Sequence, residues 1–227
     1  MSPTDAPAVL TAAFGPPVDL RSHVTVFRQG TAATAVYYVV DGHLNETTTQ
    51  PGGHGVMLRL LCRGSFLAVA PALLNQNHYS TTQTVDACQI RTLSSQAFRD
   101  LYERDCTISR WAASMLARNI LRQAAAVGRF GHDSAARLEI IFAELVRAGS
   151  IRMSDGSLRI SLAITQDTLA NAICTSREYV GRLIHILESV GDLRRHNGWY
   201  IIPRSSRIML LVNSLDDTLS GLIPESN

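Results

Sequence analysis

Between residues 18 and 94 the apolar positions come in short runs rich in β-branched and aromatic residues: VYYVV (36–40), VMLRLLC (56–62) and TVDACQIRTL (84–93). Turn-forming residues separate them, RQG at 28–30, DG at 41–42, PGGHG at 51–55 and RGS at 63–65. Many short strands at this spacing predict a β-barrel or jelly roll, not βαβ units. APALLNQNH (70–78) breaks the pattern and predicts a short helix plus loop. From Ser95 to about Gly128 the apolar period becomes helical. Ala113, Leu116, Ile120 and Val127 occupy a and d positions of a heptad, with Gln123 at the remaining d. Such a seam predicts a long helix pairing with a copy of itself, its register fixed by a polar residue. In the alternative reading the stripe packs on its own barrel and Gln123 faces solvent.

Gly128-Arg-Phe-Gly131 interrupts the helical pattern, and Asp133 is a good N-cap for a new helix through Val146. The expected division is therefore a barrel with its N-terminal segment (1–94), a dimerisation helix and hinge (95–131), and a C-terminal domain (132–227). After the turn-rich AGSIRMSDGS (148–157), alternation of Leu158, Ile160, Leu162 and Ile164 predicts a half-buried strand. Residues 164–188, ITQDTLANAICTSREYVGRLIHILE, then read as two short helices joined by a tight turn. DLRRHNGWYIIPR (192–204) follows as a hairpin centred on Asn197-Gly198. A helix-turn-helix with such a hairpin makes a winged helix. The tail, 205–227, predicts one further helix with no readable role.

Within the helix-turn-helix, Thr165 is positioned to cap the first helix and Asp167 to favour its dipole. Leu169, Ala170 and Ile173 supply its inward face. The second helix has Val180, Leu183, Ile184 and Leu187 at burial spacing, which leaves Arg177, Glu178, Gly181, Arg182 and His185 on the opposite face. Arginine donates two hydrogen bonds to guanine O6 and N7, and glutamate accepts from cytosine N4. Arg177, Glu178 and Arg182 are the candidate base readers; Thr165, Thr175, Ser176, Tyr179 and His185 are expected to cap helices or touch phosphate. Each has a plainer reading. Thr175-x-x-Glu178 is also a capping box, and the two arginines could be solvated surface charges.

Composition adds less. The net charge of +2 is weak evidence for a nucleic-acid partner, although residues 177–207 carry six arginines against Glu178, Glu188 and Asp192. All 21 basic residues are arginine, which selection for phosphate recognition would explain and codon bias in a GC-rich genome explains as well. Cys62, Cys88, Cys106 and Cys174 form no C-x-x-C pair and the histidines are scattered, so buried thiols and no metal are expected. No apolar run reaches the roughly 20 residues of a membrane span. The N-terminus has no basic or apolar leader pattern, and a cytoplasmic protein is expected. No nucleophile–base pair, phosphate loop or carboxylate constellation suggests an enzyme.

Ser176-Arg-Glu-Tyr-Val-Gly-Arg182 resembles the recognition-helix signature S-R-E-T-V-G-R of the catabolite activator branch of the Crp/Fnr family of bacterial transcription regulators, with Tyr179 in place of Thr. Phe27-Arg-Gln-Gly30, Val36–Gly42 and Gly64-Ser-Phe66 resemble the family's cyclic-nucleotide-binding-type barrel, and Asp133–Arg137 the entry to its DNA-binding domain. The resemblance implies that Arg177, Glu178 and Arg182 contact bases in a TGTGA-like half-site, with Thr165, Ser176 and Tyr179 near phosphates. It implies a homodimer on double-stranded promoter DNA and RNA polymerase as a further partner. Where cyclic-nucleotide-binding relatives carry a Gly-Glu pair for the ribose and an Arg-Ser pair for the cyclic phosphate, this chain has Ala68-Val69 and Tyr79-Ser80. Gln123-Ala124 replaces the adenine-contacting Thr-Ser pair. A buried phosphate without an arginine would lack its charge partner, so cyclic AMP is not expected as effector and no cofactor is predicted. Val69, Leu73, Tyr79, Ser80, Asn119 and Gln123 are the candidate lining of a pocket for a less charged ligand.

The sequence thus predicts an α+β protein: a jelly-roll sensor barrel, a dimerisation helix and a winged helix that reads DNA. The competing reading is a small-molecule-binding protein whose helix-turn-helix serves protein interaction.

Overall fold

The computed structural model describes residues 6–49, 55–128, 133–162 and 164–220, the side chains of 55, 122–128 and 214–220 excepted. The chain divides into two compact units, Met1–Arg129 and Phe130–Asn227. Among the described residues no helix is long and apolar enough to cross a membrane.

The first unit opens with helix α1 (Ala8–Ala13), which the sequence pattern did not suggest. Among the described residues, eight strands follow in two antiparallel sheets. One is ordered β1 (Val18–Leu20), β8 (Cys88–Ser94), β3 (Ala35–Asp41), β6 (Phe66–Leu67); the other is β2 (Thr25–Phe27), β7 (Thr81–Thr84), β4 (Leu44–Thr49), β5 (Gly55–Leu61). Their inner faces meet in one apolar cluster, Phe27, Leu44 and Leu61 from one sheet against Val39, Leu67 and Ile90 from the other. This is the expected jelly roll. The run read as one strand over 84–93 is in fact two, because Val85-Asp-Ala87 forms the turn where the chain changes sheets. Asp86 fixes that turn by accepting from the His43 backbone N–H and the His43 ring, both at 2.7 Å.

Two bulges in the second sheet bear on the barrel interior. One breaks the β4–β5 ladder between Glu46 and Thr47, the other the β2–β7 ladder between Thr25 and Phe27. Between them, Arg59, Glu46, Thr82 and Phe27 lie side by side across β5, β4, β7 and β2. Directly opposed residues of antiparallel strands point to the same face, so the bulges aim one charged row inward.

Helix α2 (Val69–Leu74), α3 (Ser95–Arg104) and α4 (Cys106–Gly128) cover the outer face of the first sheet. Val36, Phe66 and Leu93 pack there against Phe98, Ile108 and Trp111, joined by Leu10 of α1 and by Phe14 just after it. The helical stretch from Ser95 is not continuous. Asp105 is extended and its carboxylate accepts from the Thr107 backbone N–H at 2.8 Å, which ends α3 and caps α4.

The second unit runs α5 (Ser134–Ala148), β9 (Ser150–Arg152), β10 (Leu158–Ile160), α6 (Gln166–Ile173), α7 (Arg177–Ser189), β11 (Arg194–His196), β12 (Trp199–Ile202) and α8 (Arg207–Ser220). Its sheet is ordered β11-β12-β10-β9. The strand expected over 158–164 ends at Ile160, though Leu162 and Ile164 are also buried. Part of the segment read only as turns is β9, the hairpin partner of β10. Asp133 caps α5 as expected, accepting from the Ala136 N–H at 2.8 Å. Asn197 and Gly198 both have positive φ, 50° and 80°, as a tight hairpin turn between right-twisted strands requires. α5 supplies the core: Leu138, Phe142 and Ala143 are fully buried, with Phe142 edge-on to Tyr200 at 5.1 Å.

Helix α8 gives the tail a role. Asp192, 6% exposed at the α7–β11 junction, accepts from the Arg207 backbone N–H and from its Nε, each at 2.7 Å. The same guanidinium reaches Glu139 of α5 at 3.3 Å, and Ile208 and Val212 are buried behind it. The start of α8 therefore ties the end of the second helix of the helix-turn-helix to the unit's central helix.

Candidate nucleic-acid interface and sensor barrel

Helices α6 and α7 are separated by Cys174, Thr175 and Ser176. Cys174 closes α6 in the left-handed conformation (φ 54°), its N–H returning to the Ala170 carbonyl, which turns the chain sharply into α7. Thr165 caps α6 by accepting from the Thr168 N–H at 3.1 Å, as expected. The cap of α7 is Ser176, accepting from the Tyr179 N–H at 3.3 Å, and not Thr175. The capping box over 175–178 is therefore absent. Glu178 instead lies beside Ser176 and the first-turn backbone, whose hydrogen bonds hold its carboxyl below the usual range. Ser176→Ala should cost about 1 kcal/mol of stability, more than Thr175→Ala, in urea melts of the two variants.

Val180, Leu183, Ile184 and Leu187 anchor α7 to the unit's core, and they leave Arg177, Glu178, Tyr179, Arg182 and His185 exposed. Arg177 approaches Asp167 of α6 only to 3.8 Å, with both side chains about two-thirds exposed. The Arg182 guanidinium lies over the Tyr179 ring, 5.2 Å from its centroid, a contact that holds the arginine's stem without using its donors on a carboxylate. Gly181 does not belong to this outer face. A Cβ there would sit 3.6 Å from the Gln166 side chain of α6, so Gly181 lies on the flank next to the first helix.

Other arginines of the unit are engaged differently. Arg195 of the wing clamps Glu188 with both ends of its fork, at 2.7 and 2.8 Å, and holds that carboxyl below its usual range. His185 joins the pair from 3.4 Å. Arg194 binds Asp155 at 2.8 Å, and Arg207 is held by Asp192 and Glu139. Arg177, Glu178 and Arg182 thus stand out as the charged side chains of α7 with the lightest internal commitments.

On α4, Ala113 and Ile120 are exposed, Ile120 by 65%, and so is Leu121. Leu116 is half-buried against the helix-side core of its own unit. The side chains of Gln123 and Val127, expected in the same seam, lie outside the described residues.

The expected pocket lining is not brought together as one wall. Val69 and Leu73 pack into the helix-side core with Phe98 and Trp111. Asn119 is half-buried on α4, its amide 3.1 Å from the Met115 sulfur. Ser80 is buried in the barrel interior and the neighbouring Tyr79 is partly exposed beside it; in that interior, sequence reading missed the charged pair. Glu46, with its side chain 4% exposed, is bonded to Arg59 Nε by one oxygen and accepts the Ser80 hydroxyl at 2.5 Å with the other. Desolvation and the Glu46 charge beside it push the Tyr79 phenol up to about 12. His78 stacks flat on Phe27 at 3.9 Å, and desolvation holds its pKa below the usual value against the opposing pull of Glu46. The signal was available: one arginine in the apolar run VMLRLLC and one glutamate in the facing strand LNETTT.

Buried thiols were expected, but Cys106 and Cys174 are exposed and Cys88 alone is fully buried, its thiol pushed up to about 11 by burial and the nearby Asp86 and Asp41. Among the described residues no group of histidine, cysteine or carboxylate side chains could hold a metal ion.

Residues 17–105 match the model of the cyclic nucleotide-binding domain. The chain is 24% identical over 180 residues to the cAMP-activated global transcriptional regulator CRP of Haemophilus influenzae, covering 78% of this chain and 80% of that protein. Among solved structures it resembles FixK2 from Bradyrhizobium japonicum, with a TM-score of 0.73 at 15% identity, covering 87% of this chain and 96% of the other. It also resembles the c-di-GMP responsive global regulator CLP of Xanthomonas campestris, with a TM-score of 0.71 at 17% identity, covering 86% and 97%. The chain thus carries a cyclic nucleotide-binding domain over residues 17–105 and is similar over most of its length to Crp-type transcription regulators, with whose solved structures it shares the fold of barrel, long helix and winged helix-turn-helix.

Proposed function

We propose that the protein acts as a homodimer on an inverted repeat of TGTGA-like half-sites, with Arg177, Glu178 and Arg182 reading bases and cyclic AMP playing no part in its control. The observation that carries this reading is the trio itself. These are exposed, lightly paired side chains on the first turns of a helix whose opposite face is buried. Arg177 and Arg182 supply the forks that match guanine, and Glu178 an acceptor for cytosine. Ser176 and Thr165 are engaged as caps; their exposed helix starts are suited to phosphate.

The exposed apolar positions of α4, Ala113, Ile120 and Leu121, support pairing with a second copy. Two such copies would set their recognition helices in successive major grooves, about 34–36 Å apart. RNA polymerase is the expected protein partner at a promoter. The domains are a sensor barrel over 1–94, a dimerisation region over 95–131 and a DNA-binding domain over 132–227.

Exclusion of cyclic AMP is supported by Val69, which is built into an apolar core, and by Ser80, whose hydroxyl is committed to Glu46. The names of the relatives point to different effectors, cAMP in one and c-di-GMP in another, so a retained barrel does not by itself specify a ligand.

Selection of bound duplexes from a random pool, with and without cyclic AMP, tests the reading. A two-fold symmetric site with TGTGA-like halves about ten base pairs apart, recovered equally in both arms, is expected. Recovery of sequence-indifferent DNA would overturn the base-reading assignment, and enrichment only with cyclic AMP would overturn the effector assignment.

A further inference from the structure

The barrel interior contains a complete grip for an oxyanion, and the oxyanion is the protein's own. A guanidinium and a hydroxyl converging on one site are the donor set that binds carboxylate or phosphate strongly. Here Arg59 and Ser80 converge on the two oxygens of Glu46, with the Tyr79 phenol beside both charges. The row is set by the two bulges and is closed by buried Thr82.

A barrel plugged only for stability would not be built this way. Replacing a buried ion pair with apolar groups of similar volume is often neutral or stabilising. This interior also buries the Thr82 hydroxyl and His78 Nδ1 with no hydrogen-bond partner within the protein, a further cost that apolar side chains would avoid. The charged row is thus an anion-binding arrangement in its chemistry, not only a packing solution.

We propose that Glu46 is the resident anion of the sensor barrel, occupying through Arg59 and Ser80 the grip that would otherwise take a small carboxylate or phosphate ligand. An incoming anion would have to displace the Glu46 carboxylate, which is 4% exposed and would be left buried without a counter-charge. The wild-type barrel therefore refuses anionic effectors, and truncating Glu46 turns it into a site for a small carboxylate. This rests on the reading of the barrel as a sensor that cyclic AMP does not occupy, but its principal test involves neither cyclic AMP nor DNA.

The experiment measures the thermal midpoint of the full chain in acetate and in chloride at matched ionic strength. Glu46→Ala should lower the midpoint by about 10 °C in chloride, since it leaves the partly buried Arg59 without its partner. Acetate at about 100 mM should recover at least half of that loss, and should do nothing for the wild type. In Glu46→Ala/Arg59→Met the acetate effect should vanish. Equal midpoints of Glu46→Ala in the two salts, or an acetate effect that survives loss of Arg59, would overturn the proposal. Calorimetric titration of the wild type with acetate and with inorganic phosphate is independent of how the variants fold. No binding is expected, and saturable binding of either anion would overturn the resident-anion assignment. Cyclic AMP in the same titration reports separately on the effector assignment, and selected DNA on the output reading.

Discussion

Phe142→Ala should destabilise the C-terminal unit by about 3–5 kcal/mol, the largest effect of any single truncation in its core. The ring is fully buried in the middle of α5 and meets Tyr200 of the wing edge-on at 5.1 Å. Its removal takes away packing shared by α5 and the wing, and α5 is tied to α8 through the Glu139–Arg207 pair, which limits how far it can move to close the space. For a unit of this size the loss is a large share of total stability. Hydrogen exchange followed by mass spectrometry should show protection falling in peptides from 134–212 while barrel peptides keep theirs. A loss below about 1 kcal/mol would mean that the core relaxes around the gap.

The second large effect concerns binding. If Arg177 and Arg182 each form a fork with a guanine, each contributes about 1–3 kcal/mol of discrimination. Arg177→Ala/Arg182→Ala should then weaken binding to the selected inverted repeat by about 30-fold to 10⁴-fold, provided the two contacts are independent. Binding to random DNA should fall far less, because it depends on phosphate contacts elsewhere. Fluorescence anisotropy with both duplexes at one salt concentration separates the outcomes. An equal loss on both would place the arginines on phosphate. Glu178→Ala in the same assay should relax preference at one base pair per half-site while leaving random DNA unaffected.

The parts of the fold that were legible in the sequence are those set by local chemistry. Asp133 and Thr165 announced their helices because a side-chain oxygen followed by a helical period leaves few other options. Asn197-Gly198 announced the wing because both residues tolerate positive φ. The misreadings have physical causes. Asp105 splits the long helical pattern because its carboxylate competes for backbone N–H groups, and an apolar period cannot reveal that competition. Residues 84–93 look like one strand because Val85-Asp-Ala87 carries no glycine or proline, although Asp86 makes the turn through His43, more than forty positions earlier in the chain. Ser176 rather than Thr175 caps α7 because left-handed Cys174 shifts the start of the helix by one residue. In the site, the exposed face of α7 followed from the spacing of four apolar residues. The Glu46–Arg59 pair did not, because it depends on a β4–β5 register that a bulge alters.

The clasp between Asp192 and Arg207 also makes the seating of α7 depend on residues that follow it in the chain. Asp192 lies just beyond the end of α7, but its hydrogen-bonding partners, Ser206 and Arg207, come 14 and 15 residues later. Without them, burying the Asp192 carboxylate would leave a charge without compensation, which disfavours closing the junction behind α7. A chain cut short of α8 should therefore hold the end of α7 less firmly than the full chain does.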